Sequence, residues 1–317
     1  MARHPISMAA GIMPEATPAQ LVEAAVAGEF DFGGMWIERG QWSAATTRAV
    51  KAQLRDAQLA LLDVEVAWIM PGPPDPWLVE LVDIAAELGA ANLLCVSSDP
   101  DPGATAAKLQ AMLDRAAGTG VRINLEFGLF TAVKTIAEAV EIVGQVDGTA
   151  KGILCDTLHW SRSGGTADAI RGLPRAWLGY AQLCDAPAAG PDLSDMKAII
   201  DDAINRRMPL GEGACRWLRW SMPCPPGCRW RSRNARRHCA RNSRTSTNVR
   251  VKSREQVGAG SMRMKARGHE VLEQRAGILH HRESPRRRGP QASSAMVPET
   301  PAFAGDHDLI QILSIRL

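Results

Sequence analysis

The chain has no uncharged apolar stretch approaching the ~20 residues that a membrane-spanning helix requires, so no membrane association is expected. Its first residues lack the apolar core of a secretory signal, and the expectation is a cytoplasmic protein. Histidine is sparse: only His4 and His159 occur before residue 215. That excludes a multi-imidazole, trinuclear-zinc endonuclease site from this part of the chain. Cysteine is sparse there too. Cys95, Cys155 and Cys184 each sit inside an apolar run, which suits buried thiols in a reducing compartment better than a disulfide framework. No Gly-x-Gly-x-x-Gly follows the first apolar run, which weighs against a dinucleotide-binding sheet.

Acidic residues are missing from one long stretch, with none from Ala214 to Arg254. Residues 1–214 carry 16 Lys+Arg against 27 Asp+Glu, whereas residues 215–317 carry 21 against 7, and 19 of those 21 are Arg. The character of the chain changes just after Gly211-Glu212-Gly213. An Arg- and Trp-rich arm could grip phosphates and stack on bases. Cys224, Cys228, His238 and Cys239 could be drawn into a zinc site, but the paired CxxC spacing of common structural sites is lacking. The preferred reading is a shifted frame. Permitted codons read two bases later from Ala214 return a peptide with helix-like apolar spacing, a PLEVE strand and balanced charge. On that reading residues 1–214 form one domain and residues 215–317 a non-native, disordered tail without an evolved core pattern. Limited proteolysis is then expected to cut first after residue 214, and a protease-resistant 215–317 fragment would refute the frame reading. Nucleic acid is not expected as a partner; a homo-oligomer is compatible with the composition.

What the first 214 residues do contain is a repeat of short apolar runs and helical patterns. Strands are expected at Ile6–Ala10, Gly34–Ile37, Val64–Met70, Asn92–Ser97, Arg122–Phe127, Gly152–Cys155 and Leu178–Cys184. Helices are expected at Pro18–Ala27, Ala44–Leu61, Pro76–Leu88, Ala104–Ala117, Thr131–Val143 and Thr166–Ile170. Thr17-Pro18 and Asp75-Pro76 are helix starts, Thr131 and Thr166 candidate caps, and Gly28, Gly89 and Gly118 stops. A further amphipathic helix over residues 193–208 is expected in a loop over the sheet. Seven β-then-α units imply parallel strands with right-handed crossovers. Their number and size favour an α/β fold of the (β/α)8 TIM-barrel type. It is incomplete, with seven recognisable strands and an irregular Arg-rich tail, so strands one and seven are expected to carry unpaired edges.

In such a barrel the C-terminal strand ends form the active site. The fifth strand ends Asn124-Leu125-Glu126, the sixth runs into Asp156-Thr157-Leu158-His159-Trp160, and the seventh ends Gln182-Leu183-Cys184-Asp185. A carboxylate inside an apolar strand is costly unless it is paired or meets a cation. Two of them beside an amide make an oxygen-rich site suited to Mg or Mn in preference to Zn. Each has a plainer reading as well: Glu126 paired with an Arg, His159 a satisfied core histidine, Asp185 a loop cap. Ser163-Gly164-Gly165 with Arg162 could bind a phosphate at a helix start or simply form a turn. Trp36, Trp68 and Trp160 could line a sugar pocket or pack in the core.

Glu at the fifth strand end, Asp-x-x-His after the sixth, polar-x-x-Asp after the seventh and the Pro-x-Gly-Glu-Gly-like turn at 209–213 together resemble the xylose-isomerase-like TIM-barrel superfamily. The sugar phosphate isomerase/epimerase group is the nearest match, over about residues 4–214. The resemblance implies Glu126, Asp156 and Gln182 as metal ligands, with Gln182 where the family more often has His. It implies Glu126 and His159 as catalytic groups, and His159, Trp160, Arg162 and Asp185 as contacts to a sugar or sugar phosphate. The reaction implied is metal-assisted proton transfer next to a carbonyl. The family's fourth ligand, a Glu on the eighth strand that also serves as acid/base, has no counterpart here, so impaired turnover is expected. The other readings are a dehydratase of the same superfamily, a non-catalytic relic, or a nucleic-acid binder acting through the basic tail.

Overall fold

The computed structural model describes residues 5–13, 15–215 and 313–316. The expectations placed on the tail, including its disorder, zinc set and nucleic-acid arm, fall outside the described residues. In chain order the elements are β1 (Ile6–Met8), α1 (Pro18–Ala27), β2 (Phe32–Trp36), α2 (Ala44–Asp56), β3 (Ala60–Ile69), α3 (Pro76–Leu88), β4 (Asn92–Ser97) and α4 (Pro102–Ala116). There follow β5 (Arg122–Glu126), α5 (Ile136–Gly144), β6 (Lys151–Asp156), α6 (Thr157–Arg162), α7 (Ala167–Arg171), β7 (Tyr180–Leu183), α8 (Met196–Asn205) and β8 (Leu313–Arg316).

Strands β1 to β7 pair in sequence order, all parallel, and curl into an incomplete TIM barrel with helices between them. The edges of β1 and β7 are nevertheless not left open. The four residues of β8 pair antiparallel with both and close the ring. This corrects the expectation of unpaired edges. A bare strand edge is a template for any extended segment, and one that arrives without a βα crossover need not run parallel.

Alternation along each strand sorts side chains between two environments. Ile123 and Leu125 of β5 and Ile153 and Cys155 of β6 join the main apolar core with helix residues such as Leu109, Met112 and Ile142. The intervening residues, Asn124, Glu126, Leu154 and Asp156, face the barrel interior. There Asn124 donates to Asn92 of the neighbouring β4 at 3.0 Å. Pairing of Asp156 with Gln182 sets the level of the two strand ends.

Local chemistry explains where helices begin. Thr17 and Gln20 form a reciprocal cap on α1, Asp75 caps α3 ahead of Pro76, and Thr166 caps α7. Three expectations need correction. Helix α2 stops at Asp56, short of Leu61, because Gln58 adopts a left-handed φ of 52° and releases Ala60 onward into β3. Helix α5 is capped by Thr135, with Glu138 completing the box; Thr131 instead turns inward and donates to the Gly128 and Val133 carbonyls. Finally, Thr157–Arg162 is a helix that the apolar pattern did not signal. Among the described residues no helix is long and apolar enough to cross a membrane.

Candidate metal centre

Glu126 closes β5 and Asp156 closes β6, so both sit at the C-terminal mouth. Asp156 then bends the chain. Its Oδ1 accepts from the backbone N–H of Leu158 at 2.8 Å and of His159 at 3.2 Å, capping α6. That cap turns His159 back over the strand ends, which is the physical content of the Asp-x-x-His spacing. One ligand atom each from Glu126, Asp156 and His159 lie within 4.8 Å of one another, and all three residues are buried. The His159 ring is steadied by Phe130, centroids 5.0 Å apart, and Phe130 in turn meets the edge of Trp68 at 6.0 Å. The Trp68 indole N–H donates to Ser98 Oγ.

A residue not singled out from sequence completes the cluster. Arg207, just beyond α8, reaches inward so that Nη1 donates to Asp156 Oδ2 at 2.7 Å and Nη2 lies 3.2 Å from His159 Nε2. Its Nε donates to the Ala203 carbonyl at 2.6 Å, and Nη1 also approaches Cys184 Sγ at 3.1 Å. Guanidinium is always a donor. His159 Nε2 must therefore present its lone pair, leaving the ring proton on Nδ1.

The electrostatics divide the carboxylates. Burial alone would raise the Asp156 carboxyl, but the charges of Arg207 and His159 and the hydrogen bonds to them hold it below its ordinary value. Glu126 goes the other way: burial and then the Asp156 charge push it well up, with Arg207 only partly opposing. Its Oε1 is buried without a hydrogen-bond partner. Burial drives His159 down to about 4, with Asp156 opposing and Arg207 adding to the fall, so the ring is neutral at pH 7. Deeper in the barrel lie two further acids, Asp63 and Glu65, both on β3 and both buried. Glu65 accepts from Gln182 Nε2 at 2.8 Å. Both Asp63 oxygens face Tyr180, Glu65 and Gln182 without a hydrogen bond of regular geometry. Burial lifts the Asp63 carboxyl to about 7. Gly34 leaves room for it; a Cβ there would stand 2.9 Å from Asp63 Oδ1.

The remaining sequence candidates have the following surroundings. Gln182 lies next to Asp156 in register, with its amide nitrogen turned to Glu65. Arg162 makes a two-pronged ion pair with Asp202, at 2.8 and 3.0 Å, and donates to the Pro187 carbonyl. These contacts pin α8 to α6. Ser163-Gly164-Gly165 forms the turn between α6 and α7. The Trp160 ring is buried in the main core against Gly165, where a Cβ would come within 2.2 Å of it. Asp185 serves as the loop cap: it accepts from the N–H groups of Ala186, Gly211 and Cys215 and staples the 208–215 turn to β7. Because Arg162 and Asp202 are 9% and 2% exposed, Asp202→Ala should strand a buried cation. The expected cost is about 3 kcal/mol in chemical denaturation. A loss below roughly 1 kcal/mol would show the pair to be screened.

The donor set suits a divalent ion in kind, being carboxylate, carboxylate and imidazole, and the bare Glu126 Oε1 is a ligand atom lacking a partner. The two other donors are already turned toward Arg207. A metal at this centre is compatible with the residues present provided that contact yields.

The chain belongs to the xylose isomerase-like TIM-barrel family, whose model matches residues 21–221. No curated protein sequence matches it. Among solved structures it is similar to a xylose isomerase-like TIM barrel/4-hydroxyphenylpyruvate dioxygenase fusion protein, with TM-score 0.60 at 20% identity over 82% of this chain. It spans 46% of that fusion protein. It is also similar to the IolI protein with a binding zinc atom, with TM-score 0.57 at 14% identity over 78% of this chain and 98% of that one. A third likeness is to the "probable 3-DHS dehydratase AsbF" of Bacillus anthracis, with TM-score 0.56 at 15% identity over 75% of this chain and 97% of that one. At these identities the likenesses establish the fold. That fold includes enzymes, and one of its members carries a metal.

Proposed function

We propose that the chain is a metal-assisted isomerase/epimerase-type protein that moves a proton next to the carbonyl of a sugar or sugar phosphate, with turnover impaired as the chain stands. The observation that carries this is the convergence of Glu126, Asp156 and His159 at the C-terminal mouth, with ligand atoms within 4.8 Å. A divalent ion held by Glu126 and Asp156, with His159 or Gln182 completing the set, would polarise the carbonyl and stabilise the enediolate charge. Glu126 is the base. In the metal-free chain burial raises this carboxyl, and its bare Oε1 is the atom free to take the proton. His159, neutral and fixed by Phe130, can hydrogen-bond a substrate hydroxyl without carrying charge. Asp156 is the weaker base, because the α6 N–H groups and the cation beside it stabilise its ionised form.

One base is enough to take a proton and return it to the same face of the carbon. Inversion needs a second group on the opposite face. The family supplies that group as a Glu on the eighth strand, and the strand found here, Leu313-Ser314-Ile315-Arg316, has none. Proton exchange without inversion is therefore the expected residual chemistry. It is read as solvent deuterium entering a panel of ketoses and their phosphates in the presence of Mg or Mn, in this chain and in one with the alternative frame restored after Ala214. Absence of exchange from both chains, with metal present, would end this reading. The division into a 1–214 domain and a non-native tail, and a homo-oligomeric assembly, are proposed on the same footing.

A further inference from the structure

Resting on the metal reading above, we propose that Arg207 is a built-in cation that holds the divalent-ion position, so that an ion can bind only when the guanidinium leaves. Three observations point to it. First, two of the three converging donors face the guanidinium directly: Asp156 Oδ2 at 2.7 Å and His159 Nε2 at 3.2 Å. Second, Asp156 has no spare oxygen, because Oδ1 is spent on the α6 N–H groups of Leu158 and His159. A metal–oxygen bond of ~2.0–2.6 Å to Oδ2 would bring the ion against Nη1, and two positive charges at that separation in a buried site repel strongly. Third, Glu126 Oε1, a donor of the triad to which Arg207 makes no hydrogen bond, is buried without a partner. The guanidinium thus satisfies the part of the site it can reach and leaves the rest bare. Past the end of α8, Arg207 is held through its side chain by the Ala203 carbonyl, by Cys184 Sγ and by Asp156 and His159. The adjoining 208–215 turn is anchored separately, through Asp185. Exchange of Arg for ion can therefore proceed by swinging one side chain, with the loop kept in place.

The test is a Mn²⁺ titration of the full chain and of Arg207→Met, followed calorimetrically and by the electron paramagnetic resonance signal of free Mn²⁺. Methionine keeps the apolar stem and removes the charge. The expected result is Mn²⁺ binding tighter in Arg207→Met by roughly tenfold or more, and lost in both backgrounds on adding Glu126→Gln. Equal or weaker binding by a folded Arg207→Met, still dependent on Glu126, overturns the Arg207 inference and leaves the metal reading standing. Failure of both proteins to bind overturns both. Should Arg207→Met not fold, the wild-type chain decides. The ¹⁵N signals of the Arg207 guanidinium should shift and their protons should exchange faster at saturating Mg²⁺; signals unmoved at saturation overturn the inference.

Discussion

Glu126→Gln is expected to lower metal-dependent solvent deuterium exchange by at least about 10²–10⁴-fold, the range a positioned general base contributes, because it removes a metal ligand together with the base. It should at the same time raise the stability of the metal-free chain by about 1 kcal/mol. The two effects have one cause. Glu126 is buried, its Oε1 has no partner, and burial together with the Asp156 charge penalises its ionised form. That penalty destabilises the fold and makes the carboxylate a stronger base. A neutral amide of the same shape removes the penalty, and with it the proton acceptor. Loss of exchange combined with a raised denaturation midpoint identifies Glu126 as a group kept for chemistry at a cost in stability. If exchange persists at an unchanged rate in Glu126→Gln, the base is another residue. If stability falls by several kcal/mol, the carboxylate has a structural partner in solution that this structure does not contain.

Much of this centre could be read from sequence because its first two members break a rule visible in one dimension. Glu126 and Asp156 are charges at the ends of apolar strands, and the family's order of motifs places them at one mouth. Asp-x-x-His was legible for a similar reason, since a cap and the residue three positions on lie in the same turn. The residues that escaped did so for physical reasons. Arg207 meets Asp156 across 51 positions, and in sequence Arg206-Arg207 is indistinguishable from the basic end of a helix. Asp63 and Glu65 carried the right signal, two acids at i and i+2 in an apolar run. An expected helix to Leu61 and strand from Val64 leave Asp63 between elements and split the pair, whereas Gln58 in the left-handed region ends the helix early. Trp160 resembled a sugar platform because an indole beside a strand end serves either use. Gly165, whose missing Cβ admits the ring, packs it against the core. The antiparallel β8 could not be anticipated from a repeat of parallel units, since its pairing depends on an edge that exists only once the other seven strands have formed.

The interior acids make the second large expectation one of pH. In the unfolded chain Asp63 titrates near its ordinary 3.8, whereas in the fold burial lifts it to about 7. Between those values the folded chain holds a proton that the unfolded chain has lost, so stability falls as pH rises. Asp63 thus contributes fully below about pH 4, loses its contribution progressively up to pH 7, and is level above. At about 1.4 kcal/mol per tenfold in proton affinity, the whole drop is on the order of 4 kcal/mol. Glu65 and Glu126, also raised by burial, act in the same direction. His159 acts against them, because a ring lowered to about 4 costs stability as pH falls from 6.5, where the unfolded ring takes up a proton that the folded one refuses. Asp156, held low, likewise loses its contribution only in acid. The carboxyl effect is isolated by difference. Relative to wild type, Asp63→Asn should gain stability steadily between pH 4 and pH 7 and hold a constant offset above, in urea denaturation of the metal-free chain. His159→Asn should show a gain of the opposite pH sense, largest in acid. A wild-type/Asp63→Asn difference that stays flat from pH 4 to pH 8 would mean that Asp63 is ionised throughout, and that the barrel interior admits water or a cation beside it.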